Sequence, residues 1–362
     1  MRRLRLRHPL GTTHLVVGSG AFGAAVPDLR VWLGGRSAFV ISTPRVMALH
    51  GAAVEALAPL AARLVVLEVE EGEAAKSLTR AGALWQRLLA EGGKRDSRVL
   101  AFGGGSVGDL AGFVAACFLR GVEVAQLPTT VLAQVDASIG GKTAIDLPQA
   151  KNSVGAFHHP AFVVSDAAWL TTLPLEEVRS GLVEAVKMAA LLDLDLLSAI
   201  ERDLAALLAG EPETLGAIVA AGAAAKIAVV EGDPDERGER ALLNFGHTLG
   251  HALETASGYA GLRHGEAVAY GMLFALRLAE RRGLDPAFAA RLRRLIERLG
   301  LPALPHCTAG DLMDLMARDK KAREHGLDWV LPTAPGRGEV VRGLPASEIE
   351  PLVAAFLSDG GR

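Results

Sequence analysis

Residues 99–118 read VLAFGGGSVGDLAGFVAACF. An apolar run passes through three consecutive glycines into sequence with helical spacing, so the stretch predicts a strand, a tight turn and a helix start. Gly103, Gly105 and Gly108 satisfy the spacing G-x-G-x-x-G. The spacing alone carries little: with 41 glycines in 362 residues, chance supplies roughly half a match. Its strand-to-helix context is what makes it informative. Glycine lets the backbone approach a diphosphate, and the free N–H groups of a helix start favour an anion. The stretch therefore predicts dinucleotide binding; the alternative is a strand–helix turn that binds nothing.

The same rhythm continues on both sides. HLVVG (14–18), SAFVIST (37–43), RLVVLEV (63–69), VEVAQLP (122–128) and AFVVSD (161–166) are short β-branched runs separated by Ala/Leu-rich helical segments. This alternation predicts a doubly wound, Rossmann-like α/β domain. After about Trp169 the strand signals fade, and PLEEVRSGLVEAVKMAALLD (174–193) and GEAVAYGMLFALRLAERRG (265–283) read as long helices. Pro174 suits a first helical turn. The division expected is 1–172 for an α/β nucleotide-binding domain and 173–362 for a mostly helical one, with a small hairpin in GLDWVLPTAPGRGEVVRG (326–343).

Charge and composition narrow the function classes. A formal charge of −3 and a pI near 6.4 give no basic footprint for nucleic acid. The basic N-terminus is followed by no apolar signal-like region, and no run of about 18 uncharged apolar residues is read, so a cytoplasmic, soluble protein with no membrane partner is expected. Cys117 and Cys307 have no ligand-like neighbours in sequence and are expected to be buried thiols.

Polar residues mark the second half. In LLNFGHTLGHALE (242–254) His247 and His251 lie four apart, and Arg240 and Asn244 precede them at spacings that place all four on one face of a helix. A cation, an amide and two imidazoles on one stripe suggest a cleft rather than a solvated face. His264 stands just before another helix, whose positive end should disfavour a charged imidazole. Glu184 and Lys187, three apart among apolar neighbours, are either a solvated ion pair or part of the same cleft. Two histidines and a carboxylate form a common catalytic zinc shell. By spacing, His247 pairs with His251, and His264 or Glu184 completes the set.

Residues 126–157, QLPTTVLAQVDASIGGKTAIDLPQAKNSVGAF, carry Asp136, Lys142, Lys151 and Asn152 among small residues. Such a loop can hold a phosphate ester, although loop lysines are commonly just solvated. Glu73 and Lys76 in EGEAAKS (71–77) could likewise reach a ribose or phosphate, or simply start a helix.

Taken in order, GGGSVGDLAGF, RGVEVAQLPTTVLAQVDASIGGKTA, KNSVGAF, SGLVEAVK, LLNFGHTLGHALE and HGEAVAYGM resemble the motifs of 3-dehydroquinate synthase, in the sugar-phosphate cyclase superfamily, over nearly the whole chain. The resemblance implies a homodimeric lyase of the shikimate route that binds NAD⁺ and a divalent metal, zinc or cobalt, in a cleft between an α/β and a helical domain. Its substrate would be 3-deoxy-D-arabino-heptulosonate 7-phosphate, converted by transient oxidation, phosphate β-elimination, reduction and intramolecular aldol closure.

Carried over by motif, the metal ligands would be Glu184, His247 and His264, leaving His251 to the substrate. Asp136, Lys142, Lys151, Asn152, Lys187, Lys226, Arg240, Asn244 and His251 would line the substrate pocket, and Arg120 would reach a neighbouring subunit's substrate. NAD contacts would come from Glu73, Lys76, Gly103, Gly104, Gly105, Ser106, Asp109, Thr129, Thr130, Asp136, Lys142 and Lys151. One of Lys320 and Lys321 would contact phosphate.

Asp146, Ala150 and VKMAA depart from the family's usual asparagine, glycine and tyrosine-glycine, at none of these positions. Rival readings are a cyclase making 2-deoxy-scyllo-inosose or a valiolone, against which the intact GGKTA and KNSVGAF argue, and a metal-dependent polyol dehydrogenase.

Overall fold

The computed structural model describes residues 1–148, 150–258, 261–318 and 326–361. Eleven strands are β1 (Arg2–His8), β2 (Gly11–Gly18), β3 (Ser37–Ser42), β4 (Arg63–Glu68), β5 (Arg98–Gly103), β6 (Glu123–Pro128), β7 (Lys142–Leu147), β8 (Ala150–Phe157), β9 (Phe162–Asp166), β10 (Leu327–Ala334) and β11 (Arg337–Leu344). Seven of them form one sheet in the order β1-β2-β9-β6-β5-β3-β4, parallel apart from the antiparallel edge strand β1.

Alternation along single strands explains why the sheet needs helices on both faces. Phe39 and Ile41 of β3, with Val99 and Ala101 of β5, enter one apolar core. Ala38 and Val40, with Leu100 and Phe102, enter the other. A strand buried on both faces reads as a continuous apolar run, which is why SAFVIST and VLAFG show no polar alternation. The doubly wound α/β architecture and the helical character of the second half agree with the sequence reading, and β10–β11 is the expected hairpin.

Some details differ from that reading. The basic N-terminus is an edge strand, a place where charged side chains suit the exposed ladder. The segment read as a loop contains a hairpin, β7–β8, lying on the helix Gly105–Cys117, where Gly112 leaves room for Thr143. Cys117 is exposed and Cys307 half-buried, not buried as expected, because each sits at the margin of its core.

The chain forms two compact units: Met1–Pro174 with Ala209–Asp235, and Leu175–Leu208 with Glu236–Arg362. The boundary read at 172/173 thus recurs near Pro174, but the helix Pro212–Gly232 packs on β1 and β2 of the first unit. Gly216 permits this, with its missing Cβ facing Gly18 and Ala167. That helix has the length and composition to cross a membrane. More than half of its most apolar window is buried in the protein, and it carries buried Lys226, as a core helix does.

Candidate functional site

In the first unit, β5 ends at Gly103 and the helix Gly105–Cys117 begins with no side-chain cap, so its first N–H groups are left for a ligand. A Cβ on Gly103 would strike Val107, and one on Gly108 would strike Gln126, at 2.8 Å each. These two glycines serve close packing, whereas Gly104, Gly105 and Ser106 form the open turn. The end of β6 lies alongside: Thr129 N–H donates to Gly103 O at 2.9 Å, and Thr130 Oγ1 accepts from Ala133 N–H at 3.1 Å.

Charged residues surround this cradle. Lys76 is buried and donates to Asp109 Oδ2 at 2.8 Å and to Asn152 Oδ1. Glu73 lies 3.5 Å from Lys76 and 3.9 Å from Lys151. Burial works against the Lys76 ammonium, but the carboxylates of Asp109 and Glu73 outweigh it and raise its pKa. The departure at Asp146 has a structural use: its carboxylate accepts the Asn152 N–H at 2.7 Å and holds that residue at φ 49°. Asp136, on a π-turn (Ala133–Ala137), is ion-paired with Lys226 from the helix Pro212–Gly232. Lys142 is exposed at the start of β7. Arg120 is exposed at φ 70° between Leu119 (φ 49°) and Gly121 (φ 116°), a kink that turns it out of the chain's path.

In the second unit the four-residue stripe is not one helix. Arg240 and Asn244 lie on a 3₁₀ turn (Glu239–Asn244), and the α-helix starts afresh at His247 after Gly246 at φ 83°. Arg240 is nevertheless buried, and Asn244 donates to Glu236 at 3.0 Å. His264 is the first residue of the helix His264–Arg281. Lys320 and Lys321 lie outside the described residues.

Glu184, on the helix Leu175–Leu192, decides between the possible metal sets. It is 0 % exposed, and neither carboxylate oxygen accepts a well-formed hydrogen bond among the described residues. A carboxylate so placed is costly unless cations serve it. Lys187, 2 % exposed, stands against Oε2, so this pair is no solvated surface bridge. Oε1 faces two imidazole nitrogens, His264 Nε2 at 3.5 Å and His247 Nε2 at 3.8 Å. Tetrahedral bonds of about 2.0–2.2 Å set donor atoms roughly 3.3–3.6 Å apart. The His264 spacing lies within that range and the His247 spacing just beyond it, so the three donors could close on a divalent metal with a small shift of the His247 ring. His251, Glu254 and His264 form a second cluster of donors within 4.8 Å of one another, and in it Glu254 Oε2 faces the other ring nitrogen, His264 Nδ1, at 3.0 Å.

Burial would lower the His264 pKa, yet the carboxylates of Glu184 and Glu254 outweigh it and push it up to about 10. In the metal-free chain these two carboxylates work against the helix start, which favours the neutral ring. A metal must displace that proton, so binding below about pH 10 should release it, and apparent affinity should rise with pH by about tenfold per unit. Calorimetry of zinc binding in buffers of different ionisation enthalpy measures the release; a pH-independent affinity would contradict it.

The sequence matches the family model for the 3-dehydroquinate synthase N-terminal region over residues 66–180 and that for its C-terminal region over 181–322. It is 46 % identical over 306 residues to a 3-dehydroquinate synthase of Symbiobacterium thermophilum, covering 83 % of this chain and 85 % of that one. It is 43 % identical over 341 residues to that of Geobacter metallireducens, covering 94 % and 93 %. Among solved structures, 2-deoxy-scyllo-inosose synthase complexed with carbaglucose-6-phosphate, NAD⁺ and Co²⁺ is similar with a TM-score of 0.89 at 26 % identity, covering 98 % of this chain and 100 % of that one.

Proposed function

The chain belongs to the 3-dehydroquinate synthase family, and we propose on that premise that it converts 3-deoxy-D-arabino-heptulosonate 7-phosphate to 3-dehydroquinate and phosphate. The observation that carries this reading is the convergence of Glu184, His247 and His264, far apart in sequence, on one set of donors at metal spacing. Identity favours it over the inosose reading, at 46 % and 43 % to dehydroquinate synthases against 26 % to the inosose synthase.

The glycine turn and the Glu73–Lys76–Asp109 cluster would hold NAD⁺, and Glu184, His247 and His264 the metal. When bound, NAD⁺ supplies a reversible hydride acceptor that makes the neighbouring C–H acidic, and the metal supplies Lewis acidity at the substrate's hydroxyls.

The chain's own residues orient and hold charge. Lys142, Asn152 and His251 would hold the phosphate, and Lys226, Arg240 and Asn244 the carboxylate and hydroxyls. Lys226 comes to this task from its ion pair with Asp136, and Lys187 from its pair with Glu184, so each cation is already desolvated and fixed before substrate arrives. Arg120, on its exposed kink, would serve the partner protomer of a cytoplasmic homodimer.

With the heptulosonate phosphate, NAD⁺ and zinc, phosphate release and 3-dehydroquinate formation should proceed in step with no net change in nicotinamide absorbance. A polyol dehydrogenase would accumulate NADH. Folded, metal-loaded protein that releases no phosphate would end the synthase reading.

A further inference from the structure

Glu254 lies on the helix His247–Ala256, is buried, and places Oε2 3.0 Å from Nδ1 of His264. The His264 ring is thereby held at both ends, with Nε2 facing Glu184 and Nδ1 facing Glu254. His247 is held in a parallel way, its Nδ1 lying 3.3 Å from Phe245 O while Nε2 faces Glu184. A neutral imidazole carries one N–H, and the partner of one nitrogen decides which lone pair the other offers.

We propose that Glu254 is a positioning residue of the metal centre: its carboxylate accepts the hydrogen bond donated by His264 Nδ1–H and so fixes Nε2 as the nitrogen whose lone pair is presented beside Glu184. The two histidines differ in a way that explains a carboxylate at one and a carbonyl at the other. The His247 side chain is 11 % exposed and well enclosed, whereas that of His264 is 33 % exposed at the first residue of its helix. A charged acceptor makes a bond roughly twice as strong as a neutral one, enough to fix the less enclosed ring and raise its basicity. His251 shares the same carboxylate's neighbourhood, so Glu254 also joins the metal's histidine to the one assigned to substrate.

The inference rests on Glu184, His247 and His264 holding the metal, and zinc affinity of the full chain, measured by competition with a chromogenic chelator, separates the two. Glu254→Ala should bind zinc about 10–100-fold more weakly, in metal-free protein whose cooperative thermal melt shows that it is still folded. Glu254→Gln, whose amide oxygen can still accept the Nδ1–H hydrogen bond, should recover most of that loss and keep the native visible band pattern when cobalt-loaded. Native affinity in Glu254→Ala overturns the inference while leaving the metal set intact. Equal losses in Glu254→Gln, Glu254→Ala and His251→Ala also overturn it, by making Glu254 a ligand. Zinc retained at native affinity in both Glu184→Ala and His247→Ala would instead overturn the metal set on which it stands.

Discussion

His264→Ala is expected to strip the metal and abolish phosphate release, whereas His251→Ala, a change to the same residue type in the same cluster, should keep the metal and still lose most turnover. The difference follows from which atoms face the buried carboxylate. His264 Nε2 lies 3.5 Å from Glu184 Oε1, and His251 belongs with Glu254 on the other side of the ring. Losing a ligand removes Lewis acidity worth several kcal/mol, which is roughly a 10³-fold loss or more in rate. Losing a substrate-side imidazole costs about 10²–10⁴-fold through proton transfer and phosphate contact while metal content stays at one per chain. Metal analysis of the purified variants, alongside phosphate release, reads both. Metal retained in His264→Ala and lost in His251→Ala would reverse the assignment.

That pair of variants also tests the reading that spacing alone gives. The i, i+4 relation of His247 and His251 is real, since both lie on one helix with ring centroids 5.2 Å apart. Yet the proposed shell draws on three helices, and Glu184 is remote in sequence; local spacing left Glu184 and His264 as alternatives beside His247 and His251, and only the family's motifs named Glu184, His247 and His264 together. The sheet was legible because its strands are buried on both faces and read as unbroken apolar runs. The β7–β8 hairpin was not, since lysines and small residues interrupt its strands and leave little apolar signal. The helix Pro212–Gly232 is apolar on nearly every side, so sequence alone did not show that it packs with the first unit. Glu254 was overlooked although it follows His247 by seven residues, two helical turns along the same face; that spacing is the signal that could have found it.

Glycines beside the ligands set how closely those helices meet, and Gly265→Ala should disable the metal centre without touching a ligand. Gly265 follows His264, and its N–H donates to Ser180 Oγ at 3.0 Å, one turn before Glu184. A Cβ there would lie 2.0 Å from the Ser180 carbonyl oxygen, a backbone atom that cannot rotate aside. The two helices must therefore part by about 1 Å, against a tolerance of about 0.2 Å for metal–ligand distances. Overpacking of this kind costs roughly 1–3 kcal/mol of stability, and zinc affinity should fall by about 100-fold or more, since the His264–Glu184 spacing opens. Gly271→Ala should do the same from the other side, its Cβ falling 1.8 Å from Gly246 O, next to His247. Gly82→Ala supplies the contrast: it sits in the helix Leu78–Ala90 with nothing within 4 Å of the added carbon, so it should stabilise the protein by about 0.5–1 kcal/mol and leave zinc binding unchanged. Thermal melts and zinc titrations of the three variants test the argument together; normal zinc affinity in Gly265→Ala would show that helix approach at this point does not set the ligand geometry.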